Sequence, residues 1–220
     1  MIARGLDKLK ALKKDLESKY GVEVIFAEVD VSDIAQVDAF FATLKGKEID
    51  ALINNAGLAR DRIALDQYDW KDIEEMIGTN ITGFTRVAQL SIPFLKKTKG
   101  HIVNISSIAG IEGFEGSNVY SATKAYVKML SKNMRIDLHG SGVRVTDIAP
   151  GAVETEFSVT RFKGNREKAK KVYEGFEPLH PEDIAASIAF ALTQPPHVNI
   201  EYLLVMPTAQ ASQARIARKG

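Results

Sequence analysis

The sequence predicts a single domain built on a doubly wound parallel α/β sheet. Apolar residues alternate along the chain between the spacing typical of helices and the spacing typical of strands. The predicted strands are almost continuously apolar, which is typical of a parallel sheet covered by helices on both faces. No repeat or low-complexity linker divides the 220 residues, and consecutive parallel strands are joined by right-handed crossovers.

The chain opens with a predicted helix, strand and second helix. Leu9, Leu12 and Leu16 recur on one face of a lysine-rich helix, and the β-branched and aromatic run 22–30 predicts a strand. Ser32 is a candidate N-cap of the second helix. The inner face of that helix consists of Ile34, Val37, Phe40, Phe41 and Leu44.

The same alternation continues to the end of the chain. Residues 49–54 predict a short strand, and helical spacing extends from Trp70 to about Lys97, with Gly83 and Pro93 as its weak points. The remaining predicted elements are strand 100–106, helix 118–138, strand 143–149, helix 181–193 and strand 202–206. We expect the charged, glycine-containing stretch 161–175 to be an insertion above the sheet that serves as a substrate loop.

Composition excludes several classes of function. The 29 basic and 28 acidic side chains leave a net charge of +1, which gives no electrostatic reason to expect a nucleic acid or an acidic membrane as partner. The absence of cysteine excludes disulfides, cysteine-ligated metals and thiol nucleophiles. The opening segment lacks the apolar core of a signal peptide, and no apolar run approaches the ~20 residues that cross a bilayer, so we expect a cytoplasmic protein. No metal site is predicted, because no ligand spacing relates His101, His139, His180 and His197.

Polar and glycine-bearing segments follow four of the predicted strands. Ligands of open α/β sheets bind outside the carboxyl ends of the strands. These ends carry Asp30, residues 54–57, residues 106–107 and residues 150–151. Four such ends along one edge predict a crevice for a long ligand such as a dinucleotide.

Tyr120 and Lys124 form a Tyr-x-x-x-Lys pair within a predicted helix. Four residues are about one helical turn, so both side chains project from the same face. An ammonium group beside a phenol favours the phenolate, so we expect Lys124 to lower the pKa of Tyr120 from ~10 toward neutrality, where proton transfer is useful. The alternative is a half-buried tyrosine beside a solvated lysine.

The motifs around this pair occur in a recognisable order. Asn54-Asn55-Ala56-Gly57 ends a strand, Asn80 lies within a predicted helix, Ser107 precedes Tyr120 by 13 residues, and Pro150-Gly151 follows the next strand. In these features the sequence resembles the short-chain dehydrogenase/reductase family, with its Rossmann-like fold, from residue 1 to about residue 210. It is most similar to the NADP-dependent 3-hydroxy acid (serine/allo-threonine) dehydrogenases, on the segments 116–127, 143–151, 155–158, 161–164, 197–200 and 206–210.

The resemblance implies four catalytic residues. Tyr120 would exchange the proton of the substrate hydroxyl, and Lys124 would lower the pKa of that tyrosine and hold the nicotinamide ribose. Ser107 would hydrogen-bond the substrate oxygen, whereas the neighbouring Ser106 would point to the opposite face of the strand. Asn80 would anchor a water that leads protons to Lys124.

The resemblance also implies contacts to NADP, with NAD as the less favoured alternative. These contacts are Arg4, Asp30, Val31, Asn55, Ala56, Gly57, Tyr120, Lys124, Pro150, Gly151, Val153 and Thr155. Arg4 occupies the place of a basic residue for the 2′-phosphate, although similar proteins carry two adjacent arginines and this chain has Gly5 second. Asp30 as a helix cap, and Asn55 and Gly57 as turn residues, are the structural alternatives. Arg161 is either a clamp for a substrate carboxylate or a solvated loop charge.

One family element has no counterpart in this sequence. The family opens with a strand and a glycine-rich turn into a helix that receives the pyrophosphate, whereas Met1 to Arg4 aligns with the end of the family's second strand. About 30 residues, one strand–turn–helix unit, are therefore expected to be missing. That strand lies at the centre of a doubly wound sheet, so we expect two unpaired edges that face each other. We interpret the chain as part of a longer gene product, with Met1 an internal methionine, or as a sequence from which this segment was omitted.

Two functions follow from these expectations. The first is an NADP-dependent oxidoreductase that transfers a hydride to or from a small hydroxy acid or related secondary alcohol, of the serine, allo-threonine or 3-hydroxypropionate type. The alternative is an inactive truncated homologue that acts only as an interaction module. The resemblance further implies a homotetramer assembled through the helices at 80–97 and 118–138.

Overall fold

The computed structural model describes residues 1–219, and its helices and strands alternate along the chain as predicted. The strands are β1 (Ile2–Ala3), β2 (Ala27–Glu28), β3 (Ala51–Asn54), β4 (His101–Ile105), β5 (Arg144–Pro150) and β6 (Tyr202–Val205). The α-helices are α1 (Leu6–Tyr20), α2 (Ile34–Ala42), α3 (Trp70–Ile77), α4 (Phe84–Thr98), α5 (Asn118–Asp137), α6 (Glu156–Arg161), α7 (Arg166–Lys171) and α8 (Pro181–Leu192). Short 3₁₀ segments occur at Leu65–Gln67 and Ile108–Gly110, and a π-helical turn, Gly78–Gly83, joins α3 to α4.

All strand pairs are parallel, and they form two separate sheets. One sheet has the order β3-β4-β5-β6, and β1 pairs with β2 in the other. Within residues 1–219 no strand lies between β1 and β3, and both strands line a cavity of about 680 Å³. The sheet is thus divided at the place where two unpaired edges are expected.

Helices cover both faces of the four-stranded sheet. Ile102 and Val145 pack under α4 and α5, and Val103 and Ile148 face the apolar side of α8 on the opposite face. This alternation along β4 and β5 is the period of two that a strand imposes. It confirms the doubly wound arrangement.

Some local predictions differ from the structure. Asp33, and not Ser32, caps α2: its carboxylate accepts a hydrogen bond from the Gln36 amide at 3.2 Å. The strand predicted over 22–30 shortens to β2, because its partner β1 is only two residues long. Leu12 of α1 is exposed, while Leu9 is buried. The substrate-loop insertion predicted at 161–175 contains the end of α6 and the whole of α7.

The helical stretch from Trp70 to Thr98 is not a single regular α-helix. Its π-helical turn ends at Gly83, where a Cβ atom would lie 2.1 Å from the carbonyl oxygen of Val31. Glycine is required there because a side chain would displace the chain that follows β2. Among residues 1–219, no helix has the length and apolar character needed to cross a bilayer.

Candidate active site

A cavity of about 800 Å³ opens at the carboxyl ends of β3, β4 and β5. The predicted site residues that line it are Arg4, Asn55, Gly57, Ser107, Tyr120, Lys124, Pro150, Gly151, Val153, Thr155 and Arg161. The cavity between β1 and β3 is lined by Asp30, Val31 and Ala56, and shares Arg4, Asn55 and Gly57 with the larger one. The two cavities therefore adjoin at the loop that follows β3. Asn80 lines neither cavity.

Tyr120 and Lys124 occupy the first turns of α5 on its buried side. Their exposed fractions are 7% and 4%, and the Lys124 Nζ lies 6.0 Å from the centre of the Tyr120 ring. Burial raises the pKa of Tyr120, and the Arg161 guanidinium and the nearby Ser107 hydroxyl oppose that rise. The expectation that Lys124 brings this pKa toward neutrality is not met in the protein alone, because the cost of burying a phenolate outweighs the nearby positive charge.

Lys124 is anchored by the strand beside it. Its Nζ donates a 2.9 Å hydrogen bond to the carbonyl oxygen of Ile105, the last residue of β4. Burial lowers the pKa of Lys124 to about 8, against the opposing effect of Asp147. A Cβ atom on Gly57 would lie only 3.2 Å from this Nζ. Glycine after β3 therefore leaves room for the lysine head group.

The two serines after β4 face different surroundings. Ser107 is the serine that acts on the pKa of Tyr120, and its Oγ accepts a 3.1 Å hydrogen bond from the Ala109 amide. Ser106 is buried, and its Oγ lies 3.4 Å from the carbonyl oxygen of Ile148 in β5. Ser107 is thus the serine beside the phenol, as the alternation of side chains along a strand predicts.

Asn80 is fully buried in the π-helical turn. Its Oδ1 accepts a 2.8 Å hydrogen bond from the Leu58 amide, and its Nδ2 donates to the Leu58 carbonyl at 2.8 Å and to the Thr123 hydroxyl at 3.0 Å. These contacts connect the loop after β3 to α5, next to Lys124. The water-anchoring role of Asn80 stays a prediction.

Asp30 closes a local turn and does not cap a helix. Its Oδ1 accepts hydrogen bonds from the Ser32 amide at 2.9 Å and the Ser32 hydroxyl at 2.7 Å. Arg4 lies 3.8 Å from the other carboxylate oxygen. Burial raises the pKa of Asp30, but the Ser32 hydrogen bonds and Arg4 outweigh it, so this carboxyl has a lowered pKa. Arg4 and Asp30 thus lie together at the outer end of the adjoining cavities.

The loop after β5 is fixed by the C-terminal segment. The Gln210 Oε1 accepts a 2.8 Å hydrogen bond from the Ala152 amide. A Cβ atom on Gly151 would lie 2.6 Å from that same oxygen, so a larger residue would displace the Gln210 side chain. Thr155 caps α6 by accepting a 3.2 Å hydrogen bond from the Phe157 amide. The sequence assigned no role to Gln210, although the segment 206–210 carries part of the family resemblance.

Arg161, at the end of α6, lies over Tyr120. Its guanidinium carbon is 5.2 Å from the centre of the Tyr120 ring and 5.1 Å from that of Phe157, and its Nε is buried without a hydrogen-bond partner. This placement favours the carboxylate-clamp alternative over a solvated loop charge. Sequence reasoning missed Arg62, which also lines the cavity, because a single loop arginine has no distinguishing pattern.

Comparison with known proteins identifies the class that this fold and site define. Residues 1–166 match the short chain dehydrogenase family, and the chain belongs to that family. It is 44% identical to an NADP-dependent 3-hydroxy acid dehydrogenase of Salmonella typhi over 209 residues, which are 93% of this chain and 83% of that protein.

Two further proteins are similar over nearly the whole chain. A sulfoacetaldehyde reductase of Chromohalobacter salexigens is 43% identical over 218 residues, which are 97% of this chain and 85% of that protein. The closed form of a serine dehydrogenase complexed with NADP⁺ superimposes with a TM-score of 0.90 at 38% identity, covering 100% of this chain and 88% of that one.

Proposed function

We propose that the protein is an NADP-dependent oxidoreductase that transfers a hydride between NADP(H) and the C–OH or C=O of a small hydroxy acid. The observation that carries this proposal is that Ser107 and the buried Tyr120 and Lys124 line one cavity at the strand ends. The three similar proteins named above support the reaction class. The substrates and cofactor after which they are named support a hydroxy acid or a small sulfonated aldehyde, and NADP.

The residues around the cavity fit a nicotinamide dinucleotide. Gly57 and Gly151 both line the cavity, and neither places a side chain in it. Asn55, Val153 and Thr155 would hold the nicotinamide half, and Arg4 the 2′-phosphate at the other end. When bound, NADP(H) supplies or accepts the hydride.

The protein's own side chains transfer the hydroxyl proton and stabilise the negative charges of the reaction. The Tyr120 hydroxyl gives its proton to the substrate oxygen in reduction and takes it back in oxidation. Ser107 donates a hydrogen bond to that oxygen, where negative charge develops. Lys124 in its protonated form stabilises the phenolate, and Arg161 binds the substrate carboxylate through its planar N–H groups.

We also infer a homo-oligomer that uses the outer face of α5. Met129 and Ile136 are 58% and 61% exposed and lie two helical turns apart, hence on one face. Large exposed apolar side chains aligned in this way are typical of a subunit contact. Met129→Lys with Ile136→Lys should lower the mass measured by light scattering, and an unchanged mass would reject this contact.

Nucleotide binding and turnover test the proposed function together. We expect NADPH to bind, measured by its fluorescence, and NADP⁺ to be reduced in the presence of serine, allo-threonine or 3-hydroxypropionate. Binding without turnover of any hydroxy acid would favour the alternative of an inactive homologue that acts as an interaction module. The division of the sheet between β1 and β3 is the observation that favours that alternative.

A further inference from the structure

Arg62 and Arg161 line the same cavity as Tyr120. The Arg62 guanidinium carbon lies 4.7 Å from the centre of the Phe114 ring, just as Arg161 lies over Tyr120 and Phe157. A guanidinium that lies over an aromatic ring keeps its N–H groups available to an anion. The cavity therefore carries two arginines on aromatic supports at its reactive end.

The loop that carries Arg62 packs against, and is hydrogen-bonded to, the residues that precede Tyr120. The Asn118 Nδ2 donates a 3.1 Å hydrogen bond to the carbonyl oxygen of Ile63. A Cβ atom on Gly116 would lie 2.7 Å from the backbone carbonyl carbon of Arg62. Arg62 is thus held at the start of α5, beside the reactive tyrosine and away from Arg4 at the other end of the cavity.

Neither guanidinium is neutralised by the protein. Within residues 1–219, neither Arg62 nor Arg161 forms an ion pair. The nearby Arg60 differs, because it donates to Glu75 at 2.7 Å and to the Thr160 carbonyl at 2.7 Å. Arg60 has a structural role that the other two arginines do not share.

The charged side chains that line the cavity are mostly positive. Partial burial and the positive charge of Arg161 lower the pKa of Arg62, with Glu115 opposing, so the two guanidinium groups repel each other. Lys168, Lys171 and Arg218 add further positive charge to the lining. The acidic residue of the lining is Glu156, which already lies 3.5 Å from Arg166. The single carboxylate of a simple hydroxy acid can pair with only one of the two guanidinium groups. The other arginine would then have no anionic partner.

We infer that Arg62 and Arg161 each bind one anionic group of the same substrate, so that the preferred substrate is a small hydroxy acid with two negative charges, such as a 3-hydroxy dicarboxylate. This inference rests on the proposed function and narrows it. Arg62 is the residue that sets the preference for the second charge.

Two matched ligand pairs test the inference. Glutarate and butyrate, which cannot react, differ by one carboxylate, and 3-hydroxyglutarate and 3-hydroxybutyrate differ in the same way. We expect calorimetry at constant ionic strength to show glutarate binding at least tenfold more tightly than butyrate. Arg62→Gln should remove that preference, with a matching loss in kcat/KM for 3-hydroxyglutarate and little change for 3-hydroxybutyrate.

A variant on α5, at the end of the helix opposite Tyr120, serves as the control. Arg135→Gln removes a guanidinium from the last turn of the helix and should leave the preference intact. Thermal unfolding of each variant shows whether it is folded. An unchanged glutarate-to-butyrate ratio in Arg62→Gln would overturn the inference even if hydroxy acids are oxidised. A ratio that depends on Arg62, without oxidation of any hydroxy acid, would support the anion site and reject the proposed reaction.

Discussion

The side-chain amide of Asn80 forms two 2.8 Å hydrogen bonds with the backbone of Leu58, one with its amide and one with its carbonyl oxygen. A third bond reaches Thr123 on α5. The π-helical turn places this amide inside the protein, where three segments meet. Asn80 thus positions the loop that lines the cavity relative to the helix that carries Tyr120 and Lys124.

Replacing Asn80 with Ala should lower the free energy of unfolding by about 2–4 kcal/mol, because both Leu58 groups would be left buried without a partner. The measurement is equilibrium unfolding in urea. Thr123→Val is the matched comparison, since it removes the third bond and leaves the Leu58 pair intact. A Thr123→Val variant as unstable as Asn80→Ala would contradict the importance of the Leu58 pair.

Replacing Tyr120 with Phe should lower kcat by about 10²–10⁴, the range expected when a general acid–base is removed. Initial rates with saturating hydroxy acid and NADP⁺ measure the loss. Tyr126→Phe is the control on the same helix, because its hydroxyl lies 2.8 Å from Thr85 and Tyr126 does not line the cavity. Near-normal turnover by Tyr120→Phe would reject the proton-transfer role.

The strands and helices of the fold can be predicted from the sequence, whereas the helix cap of α2 and the pKa of Tyr120 cannot. Apolar spacing is enough to predict β4, β5 and the helices that cover them, because these strands are buried on both faces. Ser32 and Asp33 are adjacent residues of equal capping ability, and only backbone geometry decides between them. The pKa of Tyr120 depends on how deeply α5 buries the phenol, which the four-residue spacing to Lys124 does not encode.

Other residues were not predicted from the sequence because their roles depend on contacts between distant parts of the chain. Gln210 fixes Ala152 across 58 residues, and Arg60 reaches Thr160 across 100. Such pairs leave no local pattern in one sequence. The sequence does not predict Arg62 as a site residue for the same reason, since its role depends on the positions of Arg161 and Phe114 in the folded protein.

Acidification should destabilise the protein through His101. Its Nε2 lies 2.7 Å from the Thr146 hydroxyl, which donates its own proton to Ile200, so Nε2 carries the hydrogen and the buried Nδ1 has no partner. Burial, with a smaller effect of Arg144, lowers the pKa of His101 from 6.5 to about 4. The unfolded chain therefore binds more protons between these values, and stability falls as the pH falls from 6.5 to 4.

The size of this effect is about 3 kcal/mol between pH 7 and pH 4, since one pKa unit corresponds to about 1.4 kcal/mol. His101→Gln should flatten this part of the curve of unfolding free energy against pH. His139→Gln alters an exposed histidine and serves as the control. An unchanged slope in His101→Gln would show that other groups cause the acid sensitivity.

Gly83→Ala should destabilise the protein by about 1–3 kcal/mol, the usual cost of forcing extra volume into a packed site. The new methyl would lie 2.1 Å from the carbonyl oxygen of Val31 and would move a segment that lines the cavity between β1 and β3. Gly78→Ala tests the same change in the same turn, where the nearest atom is the Ser32 Cβ at 3.4 Å. Thermal unfolding compares the two variants, and equal melting temperatures would contradict the prediction.

A strand placed between β1 and β3 should strengthen both the fold and nucleotide binding. The two edges line one cavity of about 680 Å³, and Ile53 on β3 is 40% exposed. An apolar strand, a glycine-rich turn and a helix fused ahead of Met1 would reach β1 by the right-handed crossover that parallel strands require. Such a strand would pair with both edges, and the start of the helix would face a pyrophosphate.

We expect this fusion to raise the urea midpoint and to tighten NADPH binding at least tenfold, measured by fluorescence titration. A fusion with proline in the middle of the strand is the matched control, because proline cannot complete the strand pairing. A second control replaces the glycines of the turn with valine, which should keep the gain in stability and lose the gain in affinity. Equal midpoints for the fusion and its proline variant would show that the gap between β1 and β3 does not accept a strand.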